Sequence, residues 1–278
     1  SANSSTVQNV TNFNAGLHNI TVTDNNGCIG TASLNITQPT ALVSAVGGFT
    51  NVTCAAGTNG QASVLVNGGT TNYSYLWTPS AQTSSLLVGV GANTYVCNIT
   101  DANLCTSSQT ITISEPAPLV MISSSVTNIS CFGGSNGQIS TTIQGGTPGY
   151  TYSWTPTQTN SGVLGSLVQG PYSLVVTDTK SCSINANFNI TEPSALTSAS
   201  VSLPAKCGVA NGSATVTVGG GTPNYNYTWN TAPAQATAIA TNMAPGTWIC
   251  TIVDNKGCVK TQSVNVANAA SPVISGFN

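Results

Sequence analysis

Apolar and polar residues alternate along most of the chain, which is the period-2 signature of half-buried β-strands. Between Ala41 and Pro116, Ala62, Val64 and Val66 share one face. So do Tyr73, Tyr75 and Trp77, then Tyr95, Cys97 and Ile99, then Ile111 and Ile113. The next stretch repeats the series as Ile139, Thr141 and Ile143; Tyr150, Tyr152 and Trp154; Tyr172, Leu174 and Val176; Phe188 and Ile190. The third runs Ala214, Val216 and Val218; Tyr225, Tyr227 and Trp229; Trp248, Cys250 and Ile252; Val264 and Val266. No segment carries a helical stripe. The pattern predicts four clear strands per unit and weaker ones near Leu42 to Val46 and around Leu86 to Val90.

Turn residues punctuate the strands at matching places. Asn59-Gly60, Asn136-Gly137 and Asn211-Gly212 precede the first clear strand, and Gly68-Gly69, Gly145-Gly146 and Gly220-Gly221 follow it. Asn and Gly tolerate positive φ, so these are turns with a mechanism. Six or seven short strands in about 77 residues predict an all-β chain, a tandem array of small immunoglobulin-like β-sandwich repeats. Leu167, Gly170 and Tyr172, matched by Met243, Gly246 and Trp248, resemble the corner at which an aromatic ring enters the penultimate strand of such sandwiches. Gln38-Pro39, Glu115-Pro116 and Glu192-Pro193 mark junctions, because proline ends a strand and stiffens a short linker. The boundaries expected are a C-terminal half-repeat at 1–38, repeats at 39–116, 117–193 and 194–270, and the start of another at 271–278. A semi-rigid rod follows, each link adding roughly 35–40 Å at the rise of extended chain.

Charged residues make up 4% of the chain, with four Lys plus Arg, six Asp plus Glu and a net charge of −2. Ordinary soluble proteins carry about 25%, so Asn, Ser, Thr and Gln must supply solubility. No basic stripe exists to neutralise phosphates, which argues against nucleic acid and anionic membrane surfaces as partners. No apolar run reaches the roughly 18 residues of a spanning helix, so no membrane insertion is expected.

Catalysis has little to work with. The single histidine, His18, stands where the other units have Tyr95, Tyr172 and Trp248, which favours a packed strand residue over a base or ligand. Abundant Ser and Thr lack a base beside them, and no catalytic residue is assigned. An aspartate recurs at Asp24, Asp101, Asp178 and Asp254, always four residues before a cysteine. It reads first as an Asx-type turn cap. The sharper reading is calcium at the junctions, with Glu115 approaching Asp178 and Glu192 approaching Asp254. Two carboxylates are few for a cation that prefers six to eight oxygens, so no cofactor is expected. The Tyr-x-Tyr-x-Trp strands share the parity of the core and so read as core rather than sugar platforms. Phe49 and Phe132 are the outward aromatic candidates. Asn-x-Ser/Thr triplets, from Asn9 and Asn19 to Asn226, arise readily in so Asn- and Thr-rich a chain.

The nine cysteines follow the period. Cys54, Cys131 and Cys207 each stand 51 residues before Cys105, Cys182 and Cys258. Such spacing in small units reads as a disulfide framework, which persists in oxidising, extracellular settings. The leading expectation is Cys54–Cys105, Cys131–Cys182 and Cys207–Cys258 within units, with Cys28 unpaired and Cys97 and Cys250 as buried thiols on the core face. Two rivals stay open. Cys28–Cys54, Cys105–Cys131 and Cys182–Cys207 would staple neighbouring units, and Cys54–Cys97 would bridge the two sheets. The last gains force because a sandwich topology can put Cys54 and Cys105 at opposite ends.

Cys-Phe-Gly-Gly-Ser-Asn-Gly (Cys131 to Gly137), Gly-Gly-Thr-Pro-Gly-Tyr-Thr-Tyr-Ser-Trp (Gly145 to Trp154), Gly-Pro-Tyr-Ser-Leu-Val-Val-Thr-Asp (Gly170 to Asp178), Cys182 and Thr-Glu-Pro (Thr191 to Pro193) together resemble the SprB repeat. The likeness runs over almost the whole chain. It departs at Thr71, which replaces the proline of Gly-Gly-Thr-Pro, and at Asn268-Ala269, which replaces Glu-Pro. The resemblance implies a secreted cell-surface adhesin or filament of gliding and related Bacteroidota, exported by the type IX system, with no catalytic residues to carry over. The reading that follows is a non-enzymatic stalk whose partners are adjacent repeats of the same chain. The alternatives are a filament built by self-association and a surface-polysaccharide-binding module.

Overall fold

A computed structural model describes residues 11–269. The first ten residues of the expected half-repeat, Asn9 among them, residue 270 and the expected run-on at 271–278 lie outside the described residues. The chain divides into two compact units, Ser1–Pro116 and Ala117–Asn278. The described residues form strands and turns, and no helix among them is long and apolar enough to cross a membrane.

In the first unit, β1 (Gly16–Thr23) and β2 (Ile29–Ile36) form an antiparallel hairpin from Gly16↔Ile36 to Thr23↔Ile29. The first complete repeat follows with β3 (Val43–Thr50), β4 (Gly60–Asn67), β5 (Ser74–Thr78), β6 (Leu86–Val90), β7 (Asn93–Thr100) and β8 (Thr106–Ile113). They make two antiparallel sheets of three strands, ordered β3-β4-β6 and β5-β7-β8.

The second unit holds two more repeats. One consists of β9 (Val120–Thr127), β10 (Gly137–Gln144), β11 (Thr151–Thr155), β12 (Val163–Leu167), β13 (Gly170–Thr177) and β14 (Ser183–Ile190), in sheets β12-β10-β9 and β11-β13-β14. The other comprises β15 (Thr197–Leu203), β16 (Ala205–Lys206), β17 (Gly212–Gly219), β18 (Asn226–Trp229), β19 (Ile239–Met243), β20 (Gly246–Val253), β21 (Val259–Val266) and β22 (Asn268–Ala269). Its main sheets are β15-β17-β19 and β18-β20-β21, while β16 pairs with β22 in parallel. Each repeat is thus an immunoglobulin-like sandwich of two three-stranded sheets, to which the third adds the short β16–β22 pair. The weak strand expected near Leu42 to Val46 extends to Thr50 across a bulge between Val46 and Gly48.

Each sandwich has its own core. Trp77, Trp154 and Trp229 are fully buried, and each indole N–H donates to a carbonyl seven or eight residues on, Ser84, Ser161 or Thr237, at 2.8–2.9 Å. Tyr73, Tyr150 and Tyr225 send their hydroxyls to the carbonyls of Gly68, Gly145 and Gly220. The aromatic corner is present as well. Tyr95, Tyr172 and Trp248 donate to the carbonyls of Gly91, Val168 and Ala244, four residues upstream. His18 does the same from the hairpin, with Nε2 2.7 Å from the Asn14 carbonyl and Phe13 against its ring.

Candidate functional site

The two ends of each sandwich carry different equipment, and this follows from strand direction. In the middle repeat, β13 finishes at Thr177, so the turn with Asp178 and Cys182 lies at the end where the chain enters the repeat. The loop from Asn128 to Asn136 lies at the other end, where the chain leaves.

At the N-terminal end, the aspartate clamps two turns together. Asp178 accepts the amides of Lys180 and Cys182 in its own turn, at 2.8 and 2.9 Å, and that of Thr147 in the Gly-Gly-Thr turn at 2.8 Å. Asp101 holds Thr70, Asn103 and Cys105, and Asp254 holds Thr222, Lys256 and Cys258, in the same way. Asp24 keeps the local part, accepting from Asn26 and Cys28. The Thr70 amide above all holds the Asp101 carboxyl below its ordinary value, and the Thr147 amide does so for Asp178. For Asp254 burial pushes upward, but the amides of Thr222, Cys258, Lys256 and Gly257 together outweigh it. The clamp needs the glycine pair. Gly145 and Gly146 sit at φ +78° and +60°, and a Cβ on Gly146 would meet the Asp178 carboxylate at 2.6 Å.

At the C-terminal end, the first-cysteine loop is tied to its own repeat. Glu192 accepts the Gly133 amide at 2.6 Å and Glu115 accepts that of Ala56 at 2.6 Å. Asn268 performs the task in the third repeat, receiving the Gly208 amide at 3.1 Å. Glu192 and Glu115 are thus engaged by amides of their own repeats, and Asp254 and Asp178 by the turns of theirs. Among the described residues no group of three or more His, Cys, Asp and Glu side chains comes together to hold a metal.

The cysteines depart from the expected pairing. Cys131 bonds Cys258 of the following repeat, with Cα atoms 5.6 Å apart, and the Cys258 sulfur lies 3.3 Å from the Ser130 carbonyl oxygen. Cys54 and Cys182 are also disulfide-bonded. Cys28, Cys105 and Cys207 are exposed thiols, and Cys97 and Cys250 are buried ones whose pKa is raised by burial. The pairs Cys131–Cys182, Cys54–Cys105 and Cys207–Cys258 do not form. An eight-residue strand separates the two ends of a sandwich by about 24 Å, whereas bonded cysteines need Cα atoms within about 7 Å. The staples Cys28–Cys54, Cys105–Cys131 and Cys182–Cys207 have the polarity of the joint reversed, and Cys54–Cys97 is absent because Cys97 is a free thiol in the core. A cavity of about 350 Å³ lies beside the bond, lined by Phe132 of one repeat and Ala195, Leu196 and Val259 of the next. Phe132 and Phe49, the outward aromatics, are both more than half exposed.

The sequence held one signal that reveals the joint. The chain leaves a sandwich at the end bearing the first cysteine and, after a short Glu-Pro link, enters the next at the end bearing the second. Strand direction alone therefore brings Cys131 towards Cys258.

This fold and its joint define a tandem array of immunoglobulin-like sandwich repeats. The SprB repeat model matches the chain three times, at residues 47–82, 123–159 and 199–234. Each match ends after the tryptophan strand and before the aspartate turn, so the matched part is shorter than the period. No curated protein sequence matches the chain. Among solved structures, the N-terminal eight Ig domains of Down Syndrome Cell Adhesion Molecule align over 92% of this chain at 10% identity, with a TM-score of 0.42. The chain spans 40% of that structure's length. Sidekick-1 immunoglobulin domains 1–5 align over 92% of this chain and 67% of theirs, at 12% identity and a TM-score of 0.36. Surface layer protein SbsC, domains 1–6, aligns over 94% and 46% at 12% identity and a TM-score of 0.27.

Proposed function

We propose that this segment is a non-enzymatic stalk of an extracellular, cell-surface adhesin, in which stapled sandwiches hold a binding region away from the cell. The observation that carries the reading is the disulfide between Cys131 of one sandwich and Cys258 of the next. A bond across a joint limits bending without adding to either core, which is what a spacer requires. Disulfides of this kind persist outside reducing compartments, which supports the extracellular placement. The absence of an enzymatic role is supported by His18, which is occupied at a corner, and by carboxylates engaged with backbone amides. Export by the type IX system and a part in gliding rest on the SprB repeats. Loss of surface labelling by an antibody to these repeats in an export-deficient strain, and reduced spreading of a strain lacking them, are the results expected.

Electron microscopy of the isolated chain tests the stalk directly. Single beaded rods at both 50 and 500 mM salt are expected. With ten formal charges in 278 residues, salt has almost nothing to screen. Ordered lateral fibres would replace the stalk with a self-associating filament, and retention on surface polysaccharide would favour the binding-module reading.

A further inference from the structure

The surface that receives the first-cysteine loop in the third repeat exists again, open, in the first complete repeat. In the third repeat Ala195, Leu196 and Cys258 line the cavity under Cys131 and Phe132. The corresponding residues are Ala41, Leu42 and Cys105. The correspondence is geometric as well as sequential. A Cβ on Gly68 would meet the Ala41 carbonyl as one on Gly220 would meet that of Ala195, and Gly69 and Gly221 pack against Leu42 and Leu196 beside Asp101 and Asp254. In the first repeat these residues, with Thr40, Gly69 and Asn103, surround a cleft of about 350 Å³. Cys105 at its rim is an exposed thiol, and Leu104 beside it is 81% exposed. An apolar wall, an uncovered leucine and an unbonded cysteine thus stand where the third repeat is covered by a loop and closed by a disulfide.

We propose that this cleft is a docking site for the first-cysteine loop of another SprB repeat, of the type Ser-Cys-Phe-Gly-Gly-Ser-Asn found at Ser130 to Asn136, and that Cys105 locks the loop covalently. The Cys105 thiolate attacks the loop cysteine's sulfur in a mixed disulfide. A new S–S bond forms, the old one breaks, and the leaving thiolate departs with the electron pair and takes up a proton. Starting from two thiols, the net step is a two-electron oxidation. A small disulfide such as glutathione disulfide accepts the electrons and leaves as two thiols. The inference concerns how repeats recognise one another and stands whether or not the array serves adhesion.

The full chain supplies its own control. Cys28 occupies the same turn in the β1–β2 hairpin, four residues after Asp24, in a two-stranded sheet with no counterpart of Ala41 and Leu42 among the described residues. A synthetic peptide, Ser-Cys-Phe-Gly-Gly-Ser-Asn, carrying glutathione on its cysteine would be mixed with the 278-residue chain and the products mapped by mass spectrometry over time. The peptide is expected to couple to Cys105 about tenfold or more faster than to Cys28 or Cys207, equivalent to about 1.4 kcal/mol of recognition. Glutathione disulfide alone is expected to show no such preference, and Cys105→Ser to remove the fast product. Equal coupling at Cys105 and Cys28 would overturn the proposal. So would the same preference for a scrambled peptide or for glutathione, since Cys105 would then be merely the more reactive thiol.

Discussion

Trp154 concentrates the energetics of its repeat in one side chain: it is fully buried, and its indole N–H is satisfied by the Ser161 carbonyl. Trp154→Ala should cost about 3–5 kcal/mol, read as a loss of hydrogen-exchange protection in β11 and β13 while the first repeat keeps its own. The buried aspartates make stability acid-labile. Their carboxyls are held below the ordinary 3.8 in the folded chain. Their contribution is therefore complete above that value and is lost as pH falls through the lowered folded values. Asp178→Asn should lower the melting temperature at neutral pH and flatten the acid limb of the melting curve for that repeat. A variant whose acid limb matched the parent would contradict the clamp. The parity of Trp154, Tyr152 and Tyr150 was legible in the sequence, because alternation is local. That Asp178 reaches the Thr147 amide, 31 residues away, was not, because it depends on two turns meeting at one end of the sandwich.

At the scale of elements, the glycine pairs decide whether the N-terminal end can close. Gly145 sits at φ +78°, and a Cβ there would lie 1.8 Å from the Pro118 carbonyl oxygen. Gly145→Ala should therefore cost more than about 2 kcal/mol. Gly165→Ala, on β12 with nothing near its missing Cβ, should change stability by less than about 0.5 kcal/mol. Chemical denaturation of the two variants side by side checks the contrast. The four strands with strong alternation were readable from the pattern alone. The first strand was read too short: β3 runs on to Thr50, past a bulge between Val46 and Gly48 that shifts the register and breaks the alternation. Tertiary pairing with β4 recovers what propensity leaves out.

For the whole molecule, the staple and the sandwiches are separable. Each repeat has its own buried tryptophan and its own core cluster, so reducing Cys131–Cys258 should leave the strands of the second unit folded. Reduction should release only the joint. Hydrogen exchange is expected to rise at Phe132 to Ser135 and at the Leu196 link, with β13 and β20 amides unchanged. Global unfolding on reduction would show instead that the cores are too small to stand without the bond.

The sequence by itself determined the period, the sandwich class and the inward aromatics. Each of these depends on alternation and turn chemistry that neighbouring residues supply. Tertiary structure alone decided what the cysteines do. A disulfide requires two sulfurs at one point in space, and which sulfurs meet depends on strand direction and on which end of one repeat faces the next. Spacing of 51 residues made Cys131 and Cys182 look like partners. The length of β13 holds them apart, and the joint delivers Cys258 to Cys131 instead.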